Sequence, residues 1–268
     1  MKNIFFIFLF STTITLFAQT NEGKENYNTN NAQTATKALD KNDPYVKGMK
    51  TGIQIMDKAM NVGQLEQAAN FFMDMADQRP TDWLPPYYAA YCYTLMSFME
   101  KQKLLKDKYL DDAQLAIEQA QKIADKNSEI LVVQAYIYQM RLEVNPLERM
   151  EEYGTMANLT LENAEKLNPD NPRIYYIRAQ NMFFAPDASR QDACEVVSTA
   201  QAKYVTFEPE NELSPKWGVA MTDFMAYKCQ ELYWKKNPDT NTSPIKNTDQ
   251  TTPNNTNEKE NYKEEKEK

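Results

Sequence analysis

The side chains that could do chemistry in this chain are carboxylates, lysines, three cysteines and sixteen tyrosines; histidine is absent. Without an imidazole there is no Ser-His-Asp or Cys-His activation of a nucleophile, and most transition-metal sites lose their usual ligand. Cys92, Cys194 and Cys229 match no zinc-binding spacing. They read as small buried thiols inside helices. If one bridge forms, Cys194 and Cys229 are the pair, since both fall in the last part of the chain's regular region. Two pairs of adjacent acids, Asp111-Asp112 and Glu151-Glu152, suggest acid–base work at first sight. Neighbours on a helix diverge by about 100°, so neither pair shares a face. The run Lys101, Lys103, Lys106, Lys108 reads as a solvated helix end. No glycine-rich phosphate loop and no spaced ligand set is present. The expectation is a protein that is not an enzyme, with no catalytic residue, no cofactor and no metal.

What remains is recognition by aromatic and amide side chains, and helices must position them. The apolar residues repeat with a helical period throughout the middle of the chain. Nine helices are expected: 45–60, 65–78, 84–101, 106–126, 128–143, 147–167, 172–184, 190–205 and 215–236. Asn61-Val62-Gly63 is read as the end of the first, and Pro80, Pro146 and Pro169 follow other helix ends. Pro85-Pro86 and Pro172 suit first turns.

Small residues recur on a regular beat within these helices. The pattern alanine, large apolar residue, alanine or methionine occurs at Ala68/Phe72/Met75, Ala113/Ile117/Ala120, Ala157/Leu161/Ala164 and Ala193/Val197/Ala200. A second small-then-large pair follows at Ala90/Tyr93, Ala135/Tyr138 and Ala179/Met182. The offset into that second pair is constant: 80 to 90, 125 to 135 and 169 to 179. Small side chains at such points let helix backbones approach closely. Tyr93, Ile117, Tyr138 and Leu161 are expected in the core between them.

This resembles the tetratricopeptide repeat family, whose unit is a helical hairpin with a small residue before Tyr in the first helix and A-x3-F with a closing Pro in the second. The resemblance covers roughly residues 45–236. It implies an all-α fold, a right-handed α-α superhelix or solenoid of about four hairpins plus a C-terminal closing helix. The first alanines are 45, 44 and 36 residues apart, where the family's period is about 34, so helices around 98–109 and 141–154 should be extended. In such a stack the first helices line the concave side. Tyr87, Tyr91, Tyr136, Gln139, Arg173, Tyr176, Gln180 and Phe183 are then expected to face it and to bind a protein or peptide segment. A second reading stays open: these tyrosines pack between neighbouring hairpins with their hydroxyls at the rim, and Arg173 pairs with an acid on the next helix. The positions where peptide-tail binders of the family carry Lys and Asn hold Tyr87, Tyr91, Val132, Tyr136 and Tyr176, so that specificity is not implied. The ninth helix, with Trp217, Val219, Met221, Phe224, Met225, Cys229, Leu232 and Tyr233, should close the end of the stack. The alternative function is an auxiliary subunit of an envelope assembly that makes contact through the ends of the array. The Phe183-Phe184-Ala185-Pro186 turn is a further candidate contact.

The ends differ in composition. Lys2, an apolar run from Ile4 to Phe17 and Ala18-Gln19 read as a signal peptide over 1–18. The protein is therefore expected to be exported, periplasmic or extracellular, with no membrane insertion after cleavage. Residues 19–43 should be a mobile polar leader, 44–236 the repeat domain and 237–268 a charged, disordered tail. The formal net charge is −8, which argues against nucleic acid as a partner. Oligomeric state is not readable from these residues.

Overall fold

Asp43 begins the regular structure by accepting a hydrogen bond from the Tyr45 backbone N–H at 2.9 Å, ahead of Pro44 in the first turn. The computed structural model describes residues 39–184 and 190–236. The expected signal peptide, the leader up to residue 38, the tail and residues 185 and 186 of the Phe183–Pro186 turn lie outside them. The described residues belong to one compact unit. They form nine helices and no strand: α1 (Pro44–Asp57), α2 (Val62–Gln78), α3 (Leu84–Met99), α4 (Lys103–Ile123), α5 (Ser128–Val144), α6 (Pro146–Leu167), α7 (Pro172–Phe184), α8 (Arg190–Thr206) and α9 (Val219–Lys236).

Each helix packs on the next, and the odd-numbered helices α1, α3, α5 and α7 also pack in one continuous row. The alanines explain the close approach. Ala68, Ala90, Ala113, Ala120, Ala135, Ala157, Ala164, Ala179, Ala193 and Ala200 are all buried, so helix contacts form where no side chain beyond Cβ intervenes. Gly52 serves the same end between α1 and α2: a Cβ there would sit 2.7 Å from Phe72 Cε1 and 2.9 Å from Phe71 Cδ1. Ile117 and Leu161 are fully buried as expected, whereas Tyr93 and Tyr138 are only half-buried. The tyrosine bodies pack and their polar ends stay near water.

Several boundaries differ from expectation, each for a local reason. Gly63 does not end α1; it lies in the first turn of α2. Asn61 caps that helix by accepting from the Gln64 N–H at 3.0 Å, while Gln64 Oε1 accepts from the Met60 N–H at 2.7 Å. These two bonds make a reciprocal cap in the manner of a capping box. α4 starts earlier than expected because Glu100 Oε1 holds the turn, accepting from the Lys101 and Gln102 N–H groups at 2.6 and 2.9 Å. α4 and α6 are the long helices, at 21 and 22 residues against 17 for α2 and α8.

The largest difference is at α9. It starts at Val219, not near Pro215, and residues 207–218 form an irregular strap between α8 and α9. Gly218 explains the late start: its φ of +102° is outside the helical region. The expectation of three buried thiols also needs correction. Cys194 and Cys229 form a disulfide that ties α9 to α8, and Cys92 stays free and buried.

Candidate functional site

The row of odd helices presents a face of large polar and aromatic side chains. Tyr87 and Tyr91 come from α3, Tyr136 and Gln139 from α5, and Arg173, Tyr176, Gln180 and Phe183 from α7. Tyr91 lies near Tyr136, with centroids 6.5 Å apart, but the setting is not the expected one. All are buried, Arg173 and Tyr87 completely. The strap lies over them, so an open aromatic groove is not what the structure contains.

Trp217 is the centre of this cover. Its indole stacks on Tyr91 with centroids 4.3 Å apart, meets Tyr176 edge-on at 5.9 Å, and donates from Nε1 to the Tyr87 hydroxyl at 2.9 Å. Tyr204 donates to the Trp217 carbonyl at 3.0 Å, and Tyr88 donates to the Leu213 carbonyl at 2.7 Å. Lys50 of α1 pairs with Glu212 at 2.6 Å. The strap is thus fastened to α1, α3, α7 and α8. The sequence pattern puts Trp217 in the ninth helix, and the glycine directly after it is the signal against that.

Beneath the strap Arg173 makes a bidentate pair with Glu129 of α5, one arm from Nε at 2.7 Å and the other from Nη2. Its partner is therefore on an earlier helix, not the next one. The guanidinium also lies 4.5 Å from the Phe207 ring centroid. Burial opposes its charge, yet the attraction of Glu129 more than offsets this and holds its pKa above the ordinary value. Burial pushes the hydroxyls of Tyr87 and Tyr91 well above their usual range, and that of Tyr136 up to about 12. None of these phenols can act as a base near neutral pH. Gln139 Oε1, Gln180 Oε1 and Arg173 Nη1 are buried without a hydrogen-bond partner in the described protein.

A cavity of about 410 Å³ opens beside the strap, between Trp83, Asn127, Ser128, Glu129, Phe207 and Pro215. Its other charged lining residues are Lys126, Glu208 and Glu210, while the charge of Glu129 is balanced by Arg173. Among the described residues no group of three or more Cys, Asp or Glu is placed to hold a metal ion, and no helix is long and apolar enough to cross a membrane.

The residues that sequence reasoning passed over are on the outside. Phe98 and Met99 end α3, Leu104 begins α4, and Leu147 and Met150 begin α6; all are exposed, Leu104 at 82% and Leu147 at 97%. Arg149 holds the two turns together by pairing with both oxygens of Asp107, at 2.6 and 2.8 Å. Exposed large apolar residues gathered at one edge mark interaction surfaces. The lysine run read as a solvated helix end begins in the same turn and continues into α4.

No family model matches the sequence, and no curated protein matches it. Among solved structures the chain is similar to the HusA haemophore from Porphyromonas gingivalis, with a TM-score of 0.64 at 23% identity. The match covers 72% of this chain and 96% of that one. At that identity the likeness is one of fold.

Proposed function

We propose that the chain is an exported, non-catalytic binding protein, built as a tetratricopeptide-like right-handed helical repeat, and that it carries a haem-class ligand. The observation behind this reading is the fold shared over nearly the whole length of a haemophore. The geometry is compatible with it in two respects. The inner face is occupied by the chain's own Trp217, so a peptide could enter there only by displacing the strap. The outer turns, in contrast, expose Phe98, Met99, Leu104, Leu147 and Met150. With no histidine in the chain, an imidazole–iron bond is excluded, and this reading has the ligand held by its ring face and its carboxylates.

The test is a titration of the purified chain lacking residues 1–18 with iron protoporphyrin and with iron-free protoporphyrin, followed by the Soret band and tryptophan fluorescence. Saturable binding of both, with affinities within about tenfold of each other, supports the reading. No saturable binding of either sinks it.

A second reading rests on α9. Val219, Met221, Phe224 and Tyr227 are exposed on this last helix, which suits contact through the end of the array by an envelope partner. Phe224→Glu would weaken such a contact and leave porphyrin binding unchanged.

A further inference from the structure

We infer that the turn edge formed by Phe98, Met99, Leu104, Leu147 and Met150 is the docking surface for the haem-class ligand, with Lys101, Lys103 and Lys106 receiving its carboxylates. This rests on the proposed function and adds the site and its chemistry.

Three observations carry it. First, the apolar residues are exposed, although the turns that bear them are tightly built. Glu100 holds the α3–α4 turn through two backbone N–H groups, and Arg149 clamps α6 onto Asp107 of α4. Leu104 precedes Asp107 by three residues, so both share a helix face. Met150 follows Arg149 directly. The clamp therefore brings the first turns of α4 and α6, which carry Leu104 and Leu147 with Met150, close to each other. A fixed ledge loses less freedom on binding than a floppy one.

Second, the charges are placed asymmetrically. Lys101, Lys103 and Lys106 make no ion pair within 4 Å among the described residues. The acids near this edge are Glu100, bound to its turn, Glu143, and Glu148, Glu151 and Glu152 on and beside the start of α6. A flat apolar dianion fits one way round: its ring over Leu104, Leu147 and Met150, its carboxylates toward α4 and away from the α6 acids. Long lysine stems can cover the ring edge while their ammonium groups reach the carboxylates.

Third, the competing cavity has the wrong sign. With the charge of Glu129 balanced by Arg173, Glu208 and Glu210 still outnumber Lys126 in its lining. A dicarboxylate is disfavoured there.

The experiment compares wild type, Leu104→Glu/Leu147→Glu and Lys101→Gln/Lys103→Gln/Lys106→Gln, each checked by thermal melting. Every substituted side chain is at the surface or half-buried, so the folds should survive. The probes are protoporphyrin, its dimethyl ester, and vesicles containing phosphatidylglycerol. The double glutamate variant should lose at least tenfold in protoporphyrin affinity. The lysine variant should lose several-fold for the free acid and nothing for the ester. Wild-type affinity in the glutamate variant overturns this site while leaving the proposed function standing. Absence of binding by the wild type overturns both. Vesicle binding that depends on Leu104 and Leu147, with protoporphyrin affinity unaffected by them, reassigns the edge to a lipid surface and also overturns the inference.

Discussion

The indole of Trp217 lies flat on the ring of Tyr91, with centroids 4.3 Å apart and planes 17° apart. These residues are 126 positions apart in the chain, and their contact decides what the inner face is. A face lined by tyrosines becomes interior once an indole occupies it. Trp217 is half-buried, so Trp217→Ala should cost about 2–3 kcal/mol, toward the lower part of the range for core truncations. Denaturant unfolding measures it directly. A loss below about 1 kcal/mol would mean that the strap is not fastened as described.

Glu129 and Arg173 form a buried pair in which neither partner tolerates loss of the other. Glu129→Gln leaves the guanidinium buried beside a neutral amide, and the expected cost is about 3–5 kcal/mol. Adding Arg173→Met removes the stranded charge and should recover a good part of that loss. Unfolding of the two variants separates this from a simple packing defect, for which the second change would add to the damage.

The cysteines give a count. Cys194 and Cys229 are bridged, and burial pushes the Cys92 thiol far above its usual range. Intact-mass analysis after alkylation should show no addition to the native protein, one after denaturation, and three after denaturation with reduction. Cys194→Ser opens the loop spanning 35 positions and should cost about 2–4 kcal/mol.

The acid limb of stability has identifiable sources. Hydrogen bonding to Arg149 holds the Asp107 carboxyl below its ordinary range, and bonds from Arg178 and then Tyr175 do the same for Glu165. A pKa lower in the folded than in the unfolded state means that the folded state binds fewer protons. The stability is therefore fully present above the unfolded values, about 3.9 for Asp and 4.3 for Glu, and is lost as pH falls through the folded ones. Asp107→Asn should cost about 1 kcal/mol at pH 7 and progressively less as the pH falls below the unfolded carboxylate value, which paired unfolding curves across that range will show.

The helices were legible in the sequence because alanines such as Ala113, Ala135 and Ala179 can recur on one face only if that face meets another backbone. Their burial follows from the same constraint. The grouping of Tyr91, Tyr136 and Tyr176 was legible for the same reason. Their setting was not, because it depends on an irregular segment with no period. Pro215, Trp217 and Gly218 look like a helix start when only local pattern is considered. Only the positive φ of Gly218 and the tertiary contacts of Trp217 show otherwise. The edge at Leu104 and Leu147 was missed because an apolar residue in a first turn looks like core until its neighbours are known. The sequence favours three unpaired thiols and names Cys194 with Cys229 only as the pair if a bridge forms, because the bond depends on α8 and α9 lying side by side.

The most direct measurement is an amide and indole NMR map of the isotope-labelled protein as protoporphyrin is added. The expected result is saturable shifts confined to residues 98–104 and 147–150, with the Trp217 indole N–H unmoved in its bond to Tyr87. Shifts centred on Trp217, Tyr91 and Tyr176, with the turn edge silent, would contradict a ligand held on the outer edge and a strap that stays in place.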